Sequence, residues 1–348
     1  MPARMQIVLA HSHANTLGGG EHAVLEVGRA LMSRHDVRLL LGAFDPRRTY
    51  PELASLPYRR FGRLRWPTAR VHADAIVTNS FGANLLALRN GPRVAYWAHS
   101  TRSVFLQPGS RRVDLLLRRA VDWIAVRRAS QLVANSHYTA ARLRQLYRRD
   151  ADAVVYPGVD LGLFRPGPSA GAYAITVGRL SPEKGLDRLL ALWRDMPDLP
   201  LHVVGDGSPE LVREWRSVAP AGVVFRGQLL SADVAHAFRG AAVAVFAPRG
   251  EEFGIAALEA MASGVPVVAW RDGGLQETIV DDQTGYLVSD EVTFRQRVRL
   301  LRHDAGLRQR FGEAARARAE QFSWQRSASA LEAVCRRLSG MPGPGLAE

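Results

Sequence analysis

The sequence predicts an α/β protein of two doubly wound domains, each a parallel sheet with helices on its faces. Short runs rich in β-branched and apolar residues recur along the chain, and helical periodicity separates most of them. Strands and helices that alternate at these lengths form parallel sheets with crossover helices. Residues 164–171 form a Pro- and Gly-rich stretch without apolar periodicity, which is typical of a linker between domains.

The strand pattern occurs in two series, one on each side of this stretch. In the first series the runs are residues 7–10, 37–41, 75–78, 93–98 and 132–135. In the second they are residues 174–177, 201–204, 223–225, 243–247 and 265–269. Helical periodicity occupies residues 21–33, 139–149, 186–194, 209–216 and 251–262, and a last helix ends near residue 338.

These elements predict the domain boundaries. We expect a first domain over residues 1–165, a linker over 166–171 and a second domain over 172–322. A C-terminal helix follows over 323–339, and a flexible tail over 340–348.

The composition bounds the class of protein. The chain has 348 residues, of which 47% are hydrophobic, enough for the cores of two domains. The single cysteine, Cys335, excludes an internal disulfide framework and fits a reducing compartment. No apolar run approaches the roughly 18 residues of a membrane span. We expect a cytoplasmic protein, and peripheral contact with the inner face of the cell membrane is an open alternative.

The charge is unevenly distributed. The net charge is +13, and up to Arg165 there are 25 arginines against 11 acidic residues. The positive electrostatic potential of this region favours an anionic substrate, such as an anionic acceptor, or an anionic membrane carrier of that substrate. Nucleic-acid binding would instead interleave basic and aromatic residues on one platform, and no such motif is present in the sequence.

Two basic stretches, residues 59–66 and 111–128, lie in the first domain. The second stretch has an apolar stripe at helical spacing, made of Val113, Leu116, Leu117, Val121 and Ile124. The stripe could rest on anionic lipid headgroups. Alternatively, it faces the core and the arginines form a solvated rim.

Ligands of open parallel sheets bind at the carboxyl ends of strands. After the first strand, Gly18, Gly19 and Gly20 open a helix, so backbone N–H groups and the helix dipole could meet a phosphate or sugar there. A flexible turn is the other interpretation. At the same strand end, His11 and His13 are expected to line a cleft rather than bind a metal, with His13 near the acceptor or donor.

The first strand of the second domain is followed by a loop that carries Gly178, Arg179 and Lys184. Lys184 is the only lysine of the chain. A planar guanidinium and a compact ammonium on one loop can both reach a single diphosphate. A solvated basic loop is the alternative interpretation.

Two glutamates, Glu251 and Glu259, flank Phe253 and Gly254, where we expect a helix to open. Eight residues of helix separate their carboxylates by about 12 Å, too far for a paired acid and base. The spacing suits a long ligand such as a nucleotide-sugar. Glu259 would then accept hydrogen bonds from ribose hydroxyls, and Glu251 from sugar hydroxyls.

With Asn135-Ser136, residues 156–160 and Gly273-Gly274, these motifs resemble a retaining glycosyltransferase of family 4. The resemblance implies the GT-B fold, in which two Rossmann-like domains face each other across a cleft. It also implies an acceptor-binding first domain, a donor-binding second domain and a last helix that returns to the first. The donor would be a UDP-, GDP- or ADP-sugar, and no metal would be needed.

Site roles follow from the same resemblance. Arg179, Lys184, Glu251 and His99 would act at the diphosphate, the donor sugar and the reaction centre. The other donor-binding positions would be Gly19, Gly20, Gly178, Gly205, Gly227, Gln228, Phe253, Gly254, Ile255 and Glu259. His13 and Arg102 would lie on the acceptor side.

The residues after His99 resemble, at a distance, a His-x-Pro-x-Arg segment of GDP-mannose-dependent mannosyltransferases, although the proline is absent. The predicted function is therefore transfer of a hexosyl unit, with a mild preference for mannose, from a GDP- or UDP-sugar to a hydroxyl of a glycan, lipid or small molecule. No cofactor, metal or nucleic acid is expected. The alternatives are a nucleotide-sugar epimerase of the same fold and a non-catalytic sugar-nucleotide binding protein.

Overall fold

The computed structural model describes residues 3–62, 65–99, 112–167 and 171–341, with the backbone alone for residues 112–115. Contacts within the chain divide it into two compact units. Unit 1 comprises Met1–Gly158 and Trp324–Glu348, and unit 2 comprises Val159–Ser323.

Unit 1 contains a seven-stranded sheet in the order β3-β2-β1-β4-β5-β6-β7, and all neighbours are parallel. Its strands are β1 (Gln6–His11), β2 (Asp36–Leu41), β3 (Tyr58–Arg60), β4 (Ala75–Thr78), β5 (Val94–Ala98), β6 (Gln131–Ala134) and β7 (Ala153–Val154). In the centre, Ile7 of β1 pairs with Val37 on one side and Ala75 on the other. The strand order therefore reverses between β1 and β4.

The helices of unit 1 pack on this sheet and on one another. Those before residue 159 are α1 (Gly19–Met32), α2 (Phe81–Asn84), α3 (Ala87–Asn90), α4 (Arg112–Arg128) and α5 (His137–Tyr147). The start of α5 is fixed by Ser136, whose hydroxyl accepts a hydrogen bond from the N–H of Thr139 at 2.9 Å.

Unit 2 contains a six-stranded parallel sheet in the order β10-β9-β8-β11-β12-β13. Its strands are β8 (Tyr173–Val177), β9 (Leu201–Val204), β10 (Val223–Gly227), β11 (Ala241–Phe246), β12 (Val267–Trp270) and β13 (Gly285–Val288). Here the strand order reverses between β8 and β11.

The helices of unit 2 are α6 (Leu186–Trp193), α7 (Pro209–Val218), α8 (Ser231–Gly240), α9 (Ile255–Ala262), α10 (Leu275–Thr278), α11 (Glu291–His303) and α12 (Ala305–Ala319). One core cluster joins α6 and α11 to the sheet, with Trp193 and Phe294 fully buried in it. Burial of such aromatic side chains dominates the stability of a core of this kind.

The last helix, α13 (Trp324–Ser339), packs in unit 1 against α1. The ring of Trp324 lies edge-on to His22 of α1 at 5.2 Å between centroids. Further along, Glu332 forms ion pairs with Arg34 at 2.6 Å and with Arg336 at 2.8 Å. Aromatic and ionic contacts thus both attach α13 to α1 and to the residues that follow it.

The predicted fold class is confirmed, because each unit is a doubly wound parallel sheet. All the predicted strands are present, but β3, β7 and β13 were not predicted. β3 is exposed along its whole length and β7 has two residues, so neither has an apolar pattern to detect. The helix expected to open at Phe253 begins at Ile255, since Gly254 has a left-handed φ of +93° that an α-helix cannot contain.

The apolar stripe of α4 does not face the core. Leu116 and Leu117 are 62% and 60% exposed, and Val121 and Ile124 are exposed as well. The core-facing interpretation is therefore wrong for these residues, and the side chain of Val113 lies outside the described part. The buried face of α4 instead contains Asp122, whose carboxylate accepts hydrogen bonds from Tyr147 at 2.5 Å and Asn84 at 3.3 Å.

No helix in the described part of the chain combines the length and the apolarity needed to cross a bilayer.

Candidate functional site

The predicted site residues that the structure describes follow strand ends at the carboxyl edges of the two sheets, and those after β1, β8 and β11 are near the points where the strand order reverses. In unit 1 that point lies between β1 and β4, and in unit 2 between β8 and β11. Doubly wound sheets bind ligands in the crevice at such a switch point, because the loops on its two sides diverge there.

In unit 1, His11 is the last residue of β1 and lies buried at this edge. Its Nε2 is 3.7 Å from a carboxylate oxygen of Glu21 in the first turn of α1. Its Nδ1 is 2.5 Å from the side-chain oxygen of Asn79, which follows β4. A buried histidine thus joins the ends of two strands to the start of a helix.

Gly19 and Gly20 are the first two residues of α1, and Gly18 precedes them as the N-cap. The first N–H groups of a helix have no acceptor within the helix, so they are available to an anion. The carbonyl oxygen of Gly20 accepts a hydrogen bond from the amide of Asn79 at 2.9 Å. The glycine turn is therefore tied to β4.

His99 follows β5 and is partly buried against Trp97, with ring centroids 4.2 Å apart. Burial and the nearby charge of His11 lower its pKa to about 3, although Glu21 acts in the opposite direction. The ring is therefore neutral at physiological pH. Within the described residues its Nε2 is buried and has no hydrogen-bond partner.

The two predicted acceptor-side residues have different outcomes. His13 is exposed at the same edge, and its Nδ1 is 2.7 Å from the hydroxyl of Ser12. That hydroxyl lies 2.9 Å from the hydroxyl of Ser80, beyond β4. Arg102 lies outside the described residues.

In unit 2, Lys184 and Glu251 form an ion pair across the switch point. Lys184 ends a short 3-10 turn after β8, and Glu251 lies in the loop after β11. The Nζ of Lys184 donates a hydrogen bond to Glu251 Oε2 at 2.7 Å. At Gly185, where φ is +70°, a Cβ would lie 1.8 Å from the carbonyl oxygen of Ala247, so only glycine lets the two loops meet.

Arg179 precedes this pair on the same loop. Its side chain is 67% exposed, and its guanidinium lies 3.5 Å from Glu183. Such an exposed pair adds little stability, so the guanidinium can exchange its partner for a ligand phosphate at low cost. A Cβ at the adjacent Gly178 would meet no atom within 4 Å, so the backbone there borders open space.

Helix α9 presents its N-terminus near this ion pair. Phe253 is buried and packs on Phe322 with ring centroids 5.8 Å apart, which anchors the loop before the helix. Gly254 is the N-cap, and Ile255 is the first residue of α9. The unpaired N–H groups of this first turn carry partial positive charge.

Glu259 lies one turn further along α9. Burial raises the pKa of its carboxyl group to about 8. Within the described residues no hydrogen bond to this carboxyl group is present, while its backbone carbonyl accepts from Ser263. The charged form of a carboxyl group that is shielded from water and has no hydrogen-bond partner is costly, and such a group is typical of a ligand-binding position.

Gly178, Gly205 and Gly227 lie next to one another at the carboxyl ends of β8, β9 and β10. The N–H of Gly178 donates to the carbonyl oxygen of Val204 at 3.0 Å, and that of Gly205 donates to Gly227 at 2.8 Å. Gln228 follows β10 and is exposed. The structure thus places the predicted residues of β8, β9 and β10 along one rim.

Sequence reasoning gave no role to two residues of the candidate site in unit 1. Asn79 carries a usable signal, since it is a polar residue directly after the apolar strand β4. The function of Glu21 as the buried partner of His11 has no such signal, because the pair depends on how α1 packs on β1. Glu21 alone is indistinguishable from an acidic residue in the first turn of any helix.

Comparison with known proteins gives the family. The model of Glycosyltransferase Family 4 matches residues 17–163, and that of Glycosyl transferases group 1 matches residues 167–318. A D-inositol 3-phosphate glycosyltransferase of Segniliparus rotundus is 32% identical over 312 residues, which cover 79% of this chain and 67% of that protein. One from Arthrobacter is 31% identical over 322 residues, covering 82% and 75%. The match to one from Streptomyces scabiei, at 34% identity, spans 60% of this chain and 54% of that protein.

Solved structures agree with the fold. Sucrose-phosphate synthase from Thermosynechococcus elongatus superposes with a TM-score of 0.79 at 22% identity, over 97% of this chain and 100% of that one. Anabaena HepE in complex with UDP-glucose gives a TM-score of 0.80 at 20% identity, with the same coverage. The two Rossmann-like units are those of the GT-B fold, as predicted. Together, the family models and the relatives show that the chain belongs to the family 4 glycosyltransferases.

Proposed function

We propose that this protein transfers a hexosyl unit from a nucleotide-diphosphate sugar to the hydroxyl group of an anionic acceptor. The observation that carries the proposal is the cluster at the switch point of unit 2. It combines Lys184, Arg179 and Glu251 with the N-terminus of α9 at the carboxyl edge of one sheet. Cations and helix N–H groups suit a diphosphate, and the adjacent carboxylate suits sugar hydroxyls.

The donor half of the reaction follows from where charge develops. When the bond between the anomeric carbon and the diphosphate breaks, negative charge grows on the leaving oxygen. Lys184, Arg179 and the first N–H groups of α9 stabilise that charge from fixed positions. These groups provide the stabilisation without a divalent ion, so we propose a metal-independent transfer that EDTA leaves intact.

Lys184 is partnered by Glu251 before donor binds. The diphosphate gives Lys184 a second anion, and the sugar hydroxyls give Glu251 a second set of partners. Glu259, with its elevated pKa and partner-free carboxyl group, is the residue we assign to the ribose hydroxyls. Gly205, Gly227 and Gln228 are assigned to the base.

The acceptor half is assigned to unit 1. Its arginine excess favours an anionic acceptor, and relatives at 31–34% identity are named D-inositol 3-phosphate glycosyltransferases. A phosphorylated polyol is therefore the first acceptor to test. The neutral His99, whose Nε2 has no hydrogen-bond partner among the residues that the structure describes, is the residue we assign to a hydroxyl at the reaction centre.

We propose retention of anomeric configuration. The acceptor would approach on the face that the leaving diphosphate vacates, and a diphosphate oxygen would take the acceptor's proton. No side chain is assigned as a covalent nucleophile. Mannose remains the preferred donor sugar of the proposal, on the similarity of residues 96–99 to mannosyltransferases.

One experiment tests the function and its alternatives. Purified protein is incubated with UDP-, GDP- or ADP-linked glucose, mannose or N-acetylglucosamine, with and without D-inositol 3-phosphate, and the products are identified by NMR. An α-linked glycoside formed in the presence of EDTA supports the proposal. An isomerised donor without acceptor indicates an epimerase, and binding of all donors without any product indicates a non-catalytic binder.

We also propose a peripheral association with anionic membranes in the cytoplasm. The exposed apolar stripe of α4 continues into Trp123, which is 42% exposed and lies 4.7 Å beneath the guanidinium of Arg127. Beyond it, an open pocket of about 640 Å³ at the end of α4 is lined by Arg127, Arg128, Arg148 and Arg149, among other residues. Apolar and aromatic residues bordered by arginines suit a surface of anionic lipid.

A further inference from the structure

We propose that His11 and Glu21 form a permanent buried ion pair that positions the glycine turn. His11 acts as an imidazolium and Glu21 as its carboxylate counter-ion. Neither residue is assigned contact with substrate, so both are positioning residues. The proposal rests on the function proposed above only for its kinetic consequence.

The hydrogen bonds around His11 determine its protonation. Nε2 lies 2.8 Å from the backbone carbonyl oxygen of His13, which can only accept a hydrogen bond. Nε2 must therefore carry a proton.

The other ring nitrogen of His11, Nδ1, also faces a hydrogen-bond acceptor. It lies 2.5 Å from the side-chain oxygen of Asn79, whose amide nitrogen donates to the carbonyl oxygen of Gly20 at 2.9 Å. Exchanging the two amide atoms would place two acceptors against each other at Gly20, so this orientation is set by the backbone. With acceptors at both nitrogens, the ring carries two protons and a positive charge.

Glu21 supplies the compensating charge. His11 and Glu21 are each 6% exposed, and a buried cation without a counter-ion is unstable. Burial lowers the pKa of His11, but the nearby carboxylate charge of Glu21 and the hydrogen bonds to Asn79 and His13 raise it above its ordinary value overall. His11 likewise lowers the pKa of Glu21 against the effect of burial.

The pair lies directly against the glycine turn. A Cβ at Gly20 would be 3.2 Å from His11 Cε1, and one at Gly18 would be 2.6 Å from Glu21 Oε2. On the other side, the hydroxyl of Thr16 donates to Glu21 at 2.6 Å. The ion pair therefore holds residues 16–20 and the first N–H groups of α1 in one arrangement.

The charge of His11 also reaches His99. The titratable side chains that face His11 are Glu21 from α1 and His99 after β5, while His13 faces it through its backbone. Burial is the main cause of the lowered pKa of His99, and the charge of His11 lowers it further. His99 can thus offer an uncharged ring nitrogen to a substrate hydroxyl over the whole physiological pH range.

The direct test is the imidazole ¹⁵N spectrum of the full-length protein without ligand, between about pH 6 and 9. We expect both nitrogens of His11 to remain protonated throughout, and His99 to remain neutral. One deprotonated His11 nitrogen at about pH 7 would overturn the proposal, whether or not the protein is active. Protonated His11 in an inactive protein would refute the proposed function alone.

A charge-removal variant gives the kinetic test. In Glu21→Gln the imidazolium loses its counter-ion, so the pKa of His11 falls and the ring loses a proton as the pH rises. We expect kcat/KM of this variant to fall about tenfold per pH unit above that pKa, at the pH where the ¹⁵N signals of His11 titrate. Glu26→Gln, on the same helix beside Arg29, should keep the wild-type profile.

A merely structural Glu21 would lower kcat/KM by the same factor at every pH, and this result would overturn the proposal. If Glu21→Gln does not fold, the ¹⁵N spectrum of the wild-type protein still tests whether His11 is doubly protonated.

Discussion

At the scale of single residues, Arg179 and Lys184, which we assign to the donor diphosphate, lie in different surroundings. Arg179 lies on the surface, where a planar guanidinium can bind a phosphate with two hydrogen bonds. Lys184 is 35% exposed and reaches Glu251 through one ammonium group. A compact charge can be shared between a carboxylate and a phosphate, which fits the use of the chain's only lysine at this position.

We expect Arg179→Ala and Lys184→Ala each to lower kcat on the order of 100-fold, since removing one preorganised donor to a developing charge costs about 3 kcal/mol. Steady-state kinetics with the best donor measure the effect. Arg213→Ala is the matched control, because Arg213 is similarly exposed and forms an ion pair with a glutamate one turn away on α7. Near-normal rates in both variants would refute the assignment of the diphosphate.

The raised pKa of Glu259 makes the free energy of unfolding depend on pH. The pKa of its carboxyl group is about 8 in the folded protein, against an ordinary value of 4.5. Its contribution to folding is therefore complete below about pH 4.5 and is lost as the pH rises through about 8.

We expect Glu259→Gln to melt at the same temperature as wild type near pH 5 and at a higher temperature near pH 9. Melting temperatures over this pH range measure the difference. Glu214→Gln, at an exposed position of α7, should show no such divergence. Parallel curves for Glu259→Gln and wild type would mean that the carboxyl group is solvated.

At the scale of elements, α4 shows how one buried polar residue orients a helix. The carboxyl group of Asp122 is buried with Tyr147 and Asn84 as partners, and burial raises its pKa to about 6 although both hydrogen bonds oppose this. A buried carboxylate needs such partners, so the face that contains Asp122 turns inward. The apolar stripe is left on the outside.

This arrangement predicts the effect of removing the stripe. The double substitution Leu116→Ser and Leu117→Ser should weaken binding to vesicles that contain anionic lipid by at least about tenfold, given roughly 1.5–3 kcal/mol for each leucine that is buried. Vesicle sedimentation at low salt measures the partition. Leu230→Ser, at an equally exposed site in unit 2, is the control.

Charge has a separate test on the same vesicles. Arg127→Glu with Arg128→Glu should also weaken binding, and high salt should have the same effect on the wild-type protein. Equal partition of the wild-type protein onto neutral and anionic vesicles would refute the membrane proposal.

At the scale of the whole molecule, the two units share one architecture and differ in charge. Each brings its site loops to the switch point of a parallel sheet. The excess of arginine belongs to the first half of the chain, while the second half, including the cations at its strand ends, is nearly neutral. We therefore expect donor recognition to depend on a few placed residues in unit 2, and acceptor recognition on the broader field of unit 1.

Donor binding should be visible in the stability of the full protein. A nucleotide-sugar at 100 times its dissociation constant adds about 2.7 kcal/mol to the free energy of unfolding, so the melting temperature should rise. We expect the rise with the cognate donor to shrink in Lys184→Ala and to persist in Arg213→Ala. Screening UDP-, GDP- and ADP-sugars in this way also identifies the base. No rise with any donor would contradict nucleotide-sugar binding.

Much of the fold was predictable because periodicity is a local property. The bounds of β4 and β9 agree with the predicted runs at 75–78 and 201–204. The glycines and charged residues that follow the strands were predictable for the same reason, since parallel strands bring their carboxyl ends to one edge. The edge strand β3 was missed because an exposed strand has no apolar alternation.

The sequence by itself determined the fold class, the positions of the glycine turn and the donor-side loops, and the residue types found there. The tertiary structure decided which charges meet. Lys184 and Glu251 are 67 positions apart, and His11 and Asn79 are 68 positions apart. It also decided that α4 buries Asp122 and exposes its leucines. Side-chain spacing shows which residues share a face, but only the packing of elements distant in sequence determines what that face touches.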